Sequence, residues 1–225
     1  MGWGKAMKKE QLKLIVFDMD GLLVDTEKVY FVGWHHALKE HNLAAPEGMI
    51  PSWIGKGMYE AMGELDQLTH DREWTLKIRE SREQYFFREL EEGRVKTKPY
   101  ARETLAKAKE HYTVGLATST MGEKATRILE TLDLLHYFDY PVFGSEVENL
   151  KPTPDIYLEV LNRSKMTAKE AIAVEDSITG TKAAGAAGLS TFLIPDSNFP
   201  FDQKSVPNTV VKVGKDLRIV LDFLQ

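Results

Sequence analysis

The chain has no cysteine, which excludes disulfides, thiolate zinc sites and a cysteine nucleophile. It has no block of lysine and arginine, and its formal charge is −5. Neither nucleic acid nor an anionic membrane is therefore expected as a partner. No apolar run approaches the roughly 20 residues that span a bilayer. The first eleven residues carry tryptophan and lysines but no apolar core of the signal-peptide kind, and read as an extension ahead of the first strand. A cytoplasmic location is the expectation. Hydrophobic content of 43% and charged content of 28% are ordinary for a globular protein. At 225 residues there is room for one sizeable core, or for a core with a smaller insertion.

The most informative stretch is Leu14-Ile15-Val16-Phe17-Asp18-Met19-Asp20-Gly21. A short apolar run that meets a turn signal reads as a buried strand. Residues i and i+2 of a strand point the same way, so Asp18 and Asp20 are expected together at its C-terminal end, with Gly21 turning the chain away. Two like charges that close need a metal or a shared proton. Taken alone, the segment is better explained as a polar turn after a strand. A calcium loop fails, because its further ligand places hold Leu22 and Val29.

Beyond the turn, Asp25-Thr26-Glu27 resembles a helix start, and Val29, Tyr30, Phe31, Trp34, Ala37 and Leu38 recur at helical spacing. Pro46, Pro51 and Trp53-Ile54-Gly55-Lys56-Gly57 read as loop, followed by helical patterns over 58–68 and 72–90. Residues 26–93 thus read as an all-helical insertion. From Gly93 strands and helices alternate, with strands expected at 112–117, 140–143, 171–174, 191–194 and 208–211. Helices are expected at 99–110, 123–134, 154–161, 177–187 and 216–223. This pattern predicts an α/β core, a Rossmann-like doubly wound parallel sheet, formed by residues 12–25 and 94–225.

Ligands of open parallel sheets sit beyond the C-terminal ends of the strands. There the chain delivers Asp18 and Asp20, then Thr118-Ser119-Thr120, Lys151-Pro152, and Glu175-Asp176. Hard oxygen donors without histidine or cysteine suit Mg²⁺ with substrate phosphate oxygens, and a lysine with hydroxyls suits the phosphate itself. One carboxylate of the pair could attack phosphorus, and the other could serve as acid and base. Each arrival alone has a plainer role. The hydroxyl run reads as a cap, Lys151 as a surface lysine, and Glu175-Asp176 as a helix start.

Taken in order and spacing, Asp18-Met19-Asp20-Gly21, Thr118, Lys151-Pro152 and Glu175-Asp176 resemble the four motifs of the haloacid dehalogenase-like hydrolase superfamily. The resemblance runs from Leu14 onward, and the helical insertion is similar to that family's small α-helical C1 cap. Lys151-Pro152-Thr153-Pro154-Asp155, and Val174-Glu175-Asp176-Ser177 with Gly180 and Ala183-Ala184-Gly185, resemble the phosphoglycolate phosphatase and β-phosphoglucomutase branch. Pseudouridine-5′-phosphatase-like proteins are an example of the phosphatases it looks closest to. The resemblance implies a Mg²⁺-dependent phosphatase of small phosphomonoesters, working through phospho-Asp18. It makes Asp18 nucleophile and metal ligand, and Asp20 acid/base and donor of a backbone carbonyl to the metal. Thr118 and Lys151, with Ser119, hold the phosphoryl group, and Asp176 with Glu175 completes the metal site. The implied partner is a small phosphorylated metabolite, and the implied state a monomer. Dehalogenation is not implied, because Asp20 is present.

A sugar phosphomutase is the alternative. Mutases of the branch carry a cap histidine and a cap arginine where this chain has Tyr30 and Met58. Tyr30 fits ordinary packing, while Lys56 reads either as a loop lysine or as a residue that reaches substrate. His35 and His36 are out of register. A phosphoryl-accepting signalling module is a third reading, opposed by Asp20 and by the insertion.

Overall fold

The computed structural model describes residues 9–53, 58–196 and 201–225. The expectations placed on Lys56 and on the Met58 side chain lie outside the described residues. The chain divides into two compact units, one of Met1–Val24 with Thr97–Gln225 and one of Asp25–Lys96.

The first unit is a six-stranded parallel sheet in the order β3-β2-β1-β4-β5-β6. Its strands are β1 (Leu14–Phe17), β2 (Thr113–Thr118), β3 (Tyr140–Phe143), β4 (Ala171–Glu175), β5 (Ser190–Leu193) and β6 (Val210–Val213). β1 lies at the centre, paired with β2 through Val16 and Gly115 and with β4 through Val16 and Ala173. All four residues of β1 are fully buried. Each such side chain contributes about 1.5–3 kcal/mol relative to exposure, so this strand anchors the sheet. Leu14 and Val16 join Ala171, Ala173, Ile156, Tyr157, Val160, Ala183 and Ala184 in one core. That face packs on α7 (Asp155–Ser164) and α8 (Ile178–Ala186), while α5 (Ala101–His111) and α9 (Arg218–Leu224) pack on each other. α6 (Gly122–Thr131) lies beside β3.

The strands fall within two residues of the expected positions. β6 shows the largest shift, because Val210 N–H donates to Pro207 O at 3.0 Å and turns Asn208-Thr209 into a loop. Asp18 and Asp20 were expected at the C-terminal end of this strand; β1 ends at Phe17, and both lie just beyond it. Only Asp18 extends the ladder, its N–H reaching Val174 O at 3.0 Å.

The second unit is helical: α1 (Thr26–Glu40), α2 (Met49–Ser52), α3 (Met58–Thr69) and α4 (Arg72–Glu91). Trp34, Ala37, Leu38, Trp53, Leu65 and Ile78 form its core. α4 starts where Asp71 accepts from Glu73 N–H at 2.9 Å and Trp74 N–H at 3.1 Å, supplying partners for two orphan donors. The 46–53 segment, read from its prolines as loop, includes the short α2. Pro51 is tolerated there because first-turn N–H groups need no intrahelical acceptor. Tyr30 packs on Phe86 at 4.7 Å, and the Arg82 guanidinium stacks 3.8 Å from its ring centre. His35 and His36 are exposed.

Candidate active site

Because the sheet is parallel, every strand ends at the same edge, and β1, β2 and β4 bring their polar successors there together. Asp18 follows β1 and is buried. The chain then turns sharply: Gly21, at φ +75°, donates to Val24 O at 2.9 Å, and Leu23 N–H returns to Met19 O at 2.9 Å. That left-handed backbone suits glycine, and the turn sends Asp20 away from Asp18's partner.

Lys151 is the centre of the site. Its side chain is 7% exposed, not the solvated lysine of the plainer reading. Nζ donates to Asp18 Oδ1 at 2.5 Å, to Glu175 Oε1 at 2.7 Å and to Ala117 O at 2.8 Å. An ammonium has three hydrogens, and all three are engaged. Glu175, with no exposure, also accepts from Tyr157 Oη at 2.5 Å and from Ser177 Oγ at 3.4 Å. Ser177 in turn caps α8, accepting from Gly180 N–H at 3.0 Å. A Cβ on Gly180 would stand 2.1 Å from the Glu175 carboxyl, so only glycine lets α8 start this close to it.

These contacts set the ionisation of the site. Burial pushes the Asp18 carboxyl up, to about 8, against the pull of Lys151, with Glu175 and Asp20 adding to the rise. Burial works to lower Lys151, but the charges of Asp18 and Glu175 and their hydrogen bonds outweigh it, so Lys151 stays cationic. Tyr157 is pushed well above the usual phenol value, first by burial and then by the Glu175 charge, and keeps its proton.

Asp20 has different partners. Its Oδ2 accepts from Thr120 Oγ1 at 2.8 Å and from Thr118 Oγ1 at 3.3 Å, and Thr118 Oγ1 accepts from Thr120 N–H at 3.1 Å. The two aspartates of the pair thus have different partners: one faces an ammonium, the other faces hydroxyls. Ser119 is half-buried, and its side chain makes no hydrogen bond among the described residues. α6 opens at Gly122, one residue before the expected start at 123.

Carboxylate oxygens of Asp18, Glu175 and Asp176 lie within 4.8 Å of one another. Three hard oxygen donors against one ammonium leave net negative charge, which fits a divalent cation of the Mg²⁺ type. The carboxylate of Asp20 is outside this trio. Thr120 and Tyr157 complete the set of side chains that hold the two aspartates and Glu175 in place. Thr120 was visible as the end of a hydroxyl run. Tyr157 carried no signal, because an aromatic in an apolar helix face reads as core.

Residues 15–194 match the family model described as haloacid dehalogenase-like hydrolase. The chain belongs to that family. Among relatives of this hydrolase, the phosphorylated carbohydrates phosphatase of Thermotoga maritima is 34% identical over 185 residues, covering 79% of this chain and 82% of that protein. The phosphoglycolate phosphatase of Salmonella typhimurium is 29% identical over 203 residues, 80% of each chain. A solved structure from Thermotoga maritima, provisionally named a β-phosphoglucomutase, superimposes with a TM-score of 0.77 at 30% identity, covering 95% of this chain and 98% of that one. Its curated relatives are named phosphatases, and this haloacid dehalogenase-like protein is a phosphoric monoester hydrolase.

Proposed function

We infer that the protein is a Mg²⁺-dependent phosphatase of small phosphomonoesters, sugar phosphates foremost, that works through a phospho-Asp18 intermediate. The observation that carries this reading is the division of labour between Asp18, held by buried Lys151, and Asp20, held by Thr118 and Thr120. A carboxylate nucleophile and a separate acid/base are what two-step phosphoryl transfer requires. The substrate class is that of the relative named a phosphorylated carbohydrates phosphatase.

In the first step an Asp18 oxygen forms a bond to phosphorus, the bond to the substrate oxygen breaks, and Asp20 gives that oxygen its proton. In the second, Asp20 takes a proton from water, whose oxygen attacks phosphorus and frees phosphate and Asp18. Lys151, Thr118 and the Ser119 hydroxyl hold phosphoryl oxygens, and Thr120 with Thr118 orients Asp20. Asp18, Glu175 and Asp176, with the Asp20 carbonyl, would hold Mg²⁺, which supplies neutralising charge for the phosphoryl oxygens. We read residues 26–93 as the cap, which selects the leaving group. A monomeric, cytoplasmic enzyme without nucleic-acid or membrane partners belongs to the same proposal. The charge of −5, without a basic block, supports the part of it that concerns nucleic acid and anionic membranes.

The test is phosphate release with Mg²⁺ from a panel of sugar phosphates, nucleoside monophosphates and phosphoglycolate. β-Glucose 1-phosphate with a trace of its bisphosphate is included and its products are separated. Release of free phosphate from a few monoesters is the expected result. Conversion to glucose 6-phosphate without release would establish the mutase reading, to which the 30%-identical structure points.

A further inference from the structure

Lys151 enters the proposed reaction with no hydrogen to spare, since Asp18, Glu175 and the Ala117 carbonyl each accept one. To grip a phosphoryl oxygen it must release one acceptor. Ala117 O belongs to β2, a paired interior strand, and cannot move away. Asp18 is the acceptor whose oxygen must leave if it is to bond phosphorus. Glu175 must then stay, or Lys151 would follow it out of register.

What keeps Glu175 in place is unevenly distributed. Ser177 Oγ lies at 3.4 Å from Oε2, a long contact, whereas Tyr157 Oη lies at 2.5 Å from Oε1, the same oxygen that binds Lys151. Tyr157 is fully buried in α7, its ring packed in the sheet core and centred 5.2 Å from Lys151 Nζ. Its hydroxyl has one available purpose in that apolar setting, since a buried hydroxyl needs a partner.

We propose that Tyr157 is a positioning residue: by donating to Glu175 Oε1 it fixes the bracket that makes Lys151 release Asp18, rather than Glu175, when a phosphoryl group arrives. Without the hydroxyl, the Glu175 carboxylate turns toward Lys151 as its sole close donor and holds it back from the phosphoryl oxygens. The proposal rests on the phosphatase reading and assigns it a residue that neither touches substrate nor binds metal.

Tyr157→Phe removes one oxygen and keeps the ring, and Glu175 retains Lys151 as donor, so the fold is expected to persist with an unchanged Tm. Calorimetric binding of inorganic phosphate with Mg²⁺, and turnover of p-nitrophenyl phosphate, are measured for wild type, Y157F, E175Q and the double variant. Expected for Y157F is a Kd for phosphate weaker by about tenfold, the effect of one hydrogen bond to a charged group, and a KM raised more than kcat is lowered. In the E175Q background the same substitution should have little further effect, since the two residues act as one unit. Wild-type values in Y157F overturn the inference alone, as does a full Y157F effect persisting in E175Q or a loss that only tracks a fall in Tm. A wild-type protein that neither binds phosphate nor hydrolyses the probe overturns both this inference and the phosphatase reading.

Discussion

Both units of the molecule bury charge, and they do so differently. In the helical unit Arg82, 3% exposed, lies over Tyr30 and 5.2 Å from Trp34, and its charged contact is with its own neighbour Glu83. Thr69 and Thr75 bond each other at 2.7 Å near the start of α4. These are local arrangements that settle helix ends and helix packing. In the α/β unit, Asp18, Asp20, Thr118, Lys151 and Glu175 come from separate segments, bonded pairs lying 24 to 133 residues apart in the chain, and meet at one sheet edge. Local burial of charge is architecture, whereas burial of charge collected from several strands concentrates unfavourable electrostatics where a ligand can relieve it. The proposed function accordingly assigns the chemistry to the α/β unit.

Five substitutions or conditions test that contrast. Asp18→Asn should lower turnover on the order of 10⁴-fold or more and leave Tm equal or higher, because it removes a carboxyl whose charged form burial opposes. Lys151→Met should lower turnover about 10²–10³-fold. It should also cost about 3–5 kcal/mol in denaturant unfolding, since Asp18 and Glu175 lose their common cation. Gly180→Ala forces the Glu175 carboxyl aside. About 1–3 kcal/mol of stability and roughly 10²-fold in kcat should go with it.

The fourth concerns pH. Asp18 rises from 3.8 to about 8 on folding, so between those values the native protein holds a proton that the unfolded chain has lost. Stability in chelator should then fall as pH rises through that window and level off above it. Asp18→Asn should flatten the slope, and Mg²⁺ should reverse it. The smallest effect belongs to the helical unit. Arg82→Met should cost about 1–2 kcal/mol through the lost stacking on Tyr30, and kcat should stay within about twofold, inside ordinary mutational scatter. A tenfold fall in kcat at unchanged Tm would place chemistry in the helical unit and break the contrast.

Much of the fold was legible because β1 is an uninterrupted apolar run between a charged segment and Gly21, and because strands and helices alternate after Gly93. The short α2 was hidden by Pro46 and Pro51, since proline in a first helical turn looks the same in sequence as proline in a loop. Asp18, Asp20, Lys151 and Glu175 were legible because each ends or follows a strand, and strand ends of a parallel sheet share an edge. What they would touch was not. Lys151 by itself read as a surface residue, and its burial depends on where the loop after β3 crosses Asp18 and Glu175. Tyr157 was invisible for a related reason: its neighbours in sequence say helix core, and only the packing of α7 against the sheet places its hydroxyl at Glu175.

The central claim is that Asp18 takes the phosphoryl group. The direct measurement is acid quench during turnover of p-nitrophenyl phosphate with Mg²⁺, borohydride reduction, and mass spectrometry of the tryptic peptide 14–28. The account predicts conversion of Asp18 to homoserine, seen only with substrate and absent in Asp18→Asn. Steady turnover with Asp18 never modified, or label trapped on another residue, would contradict it.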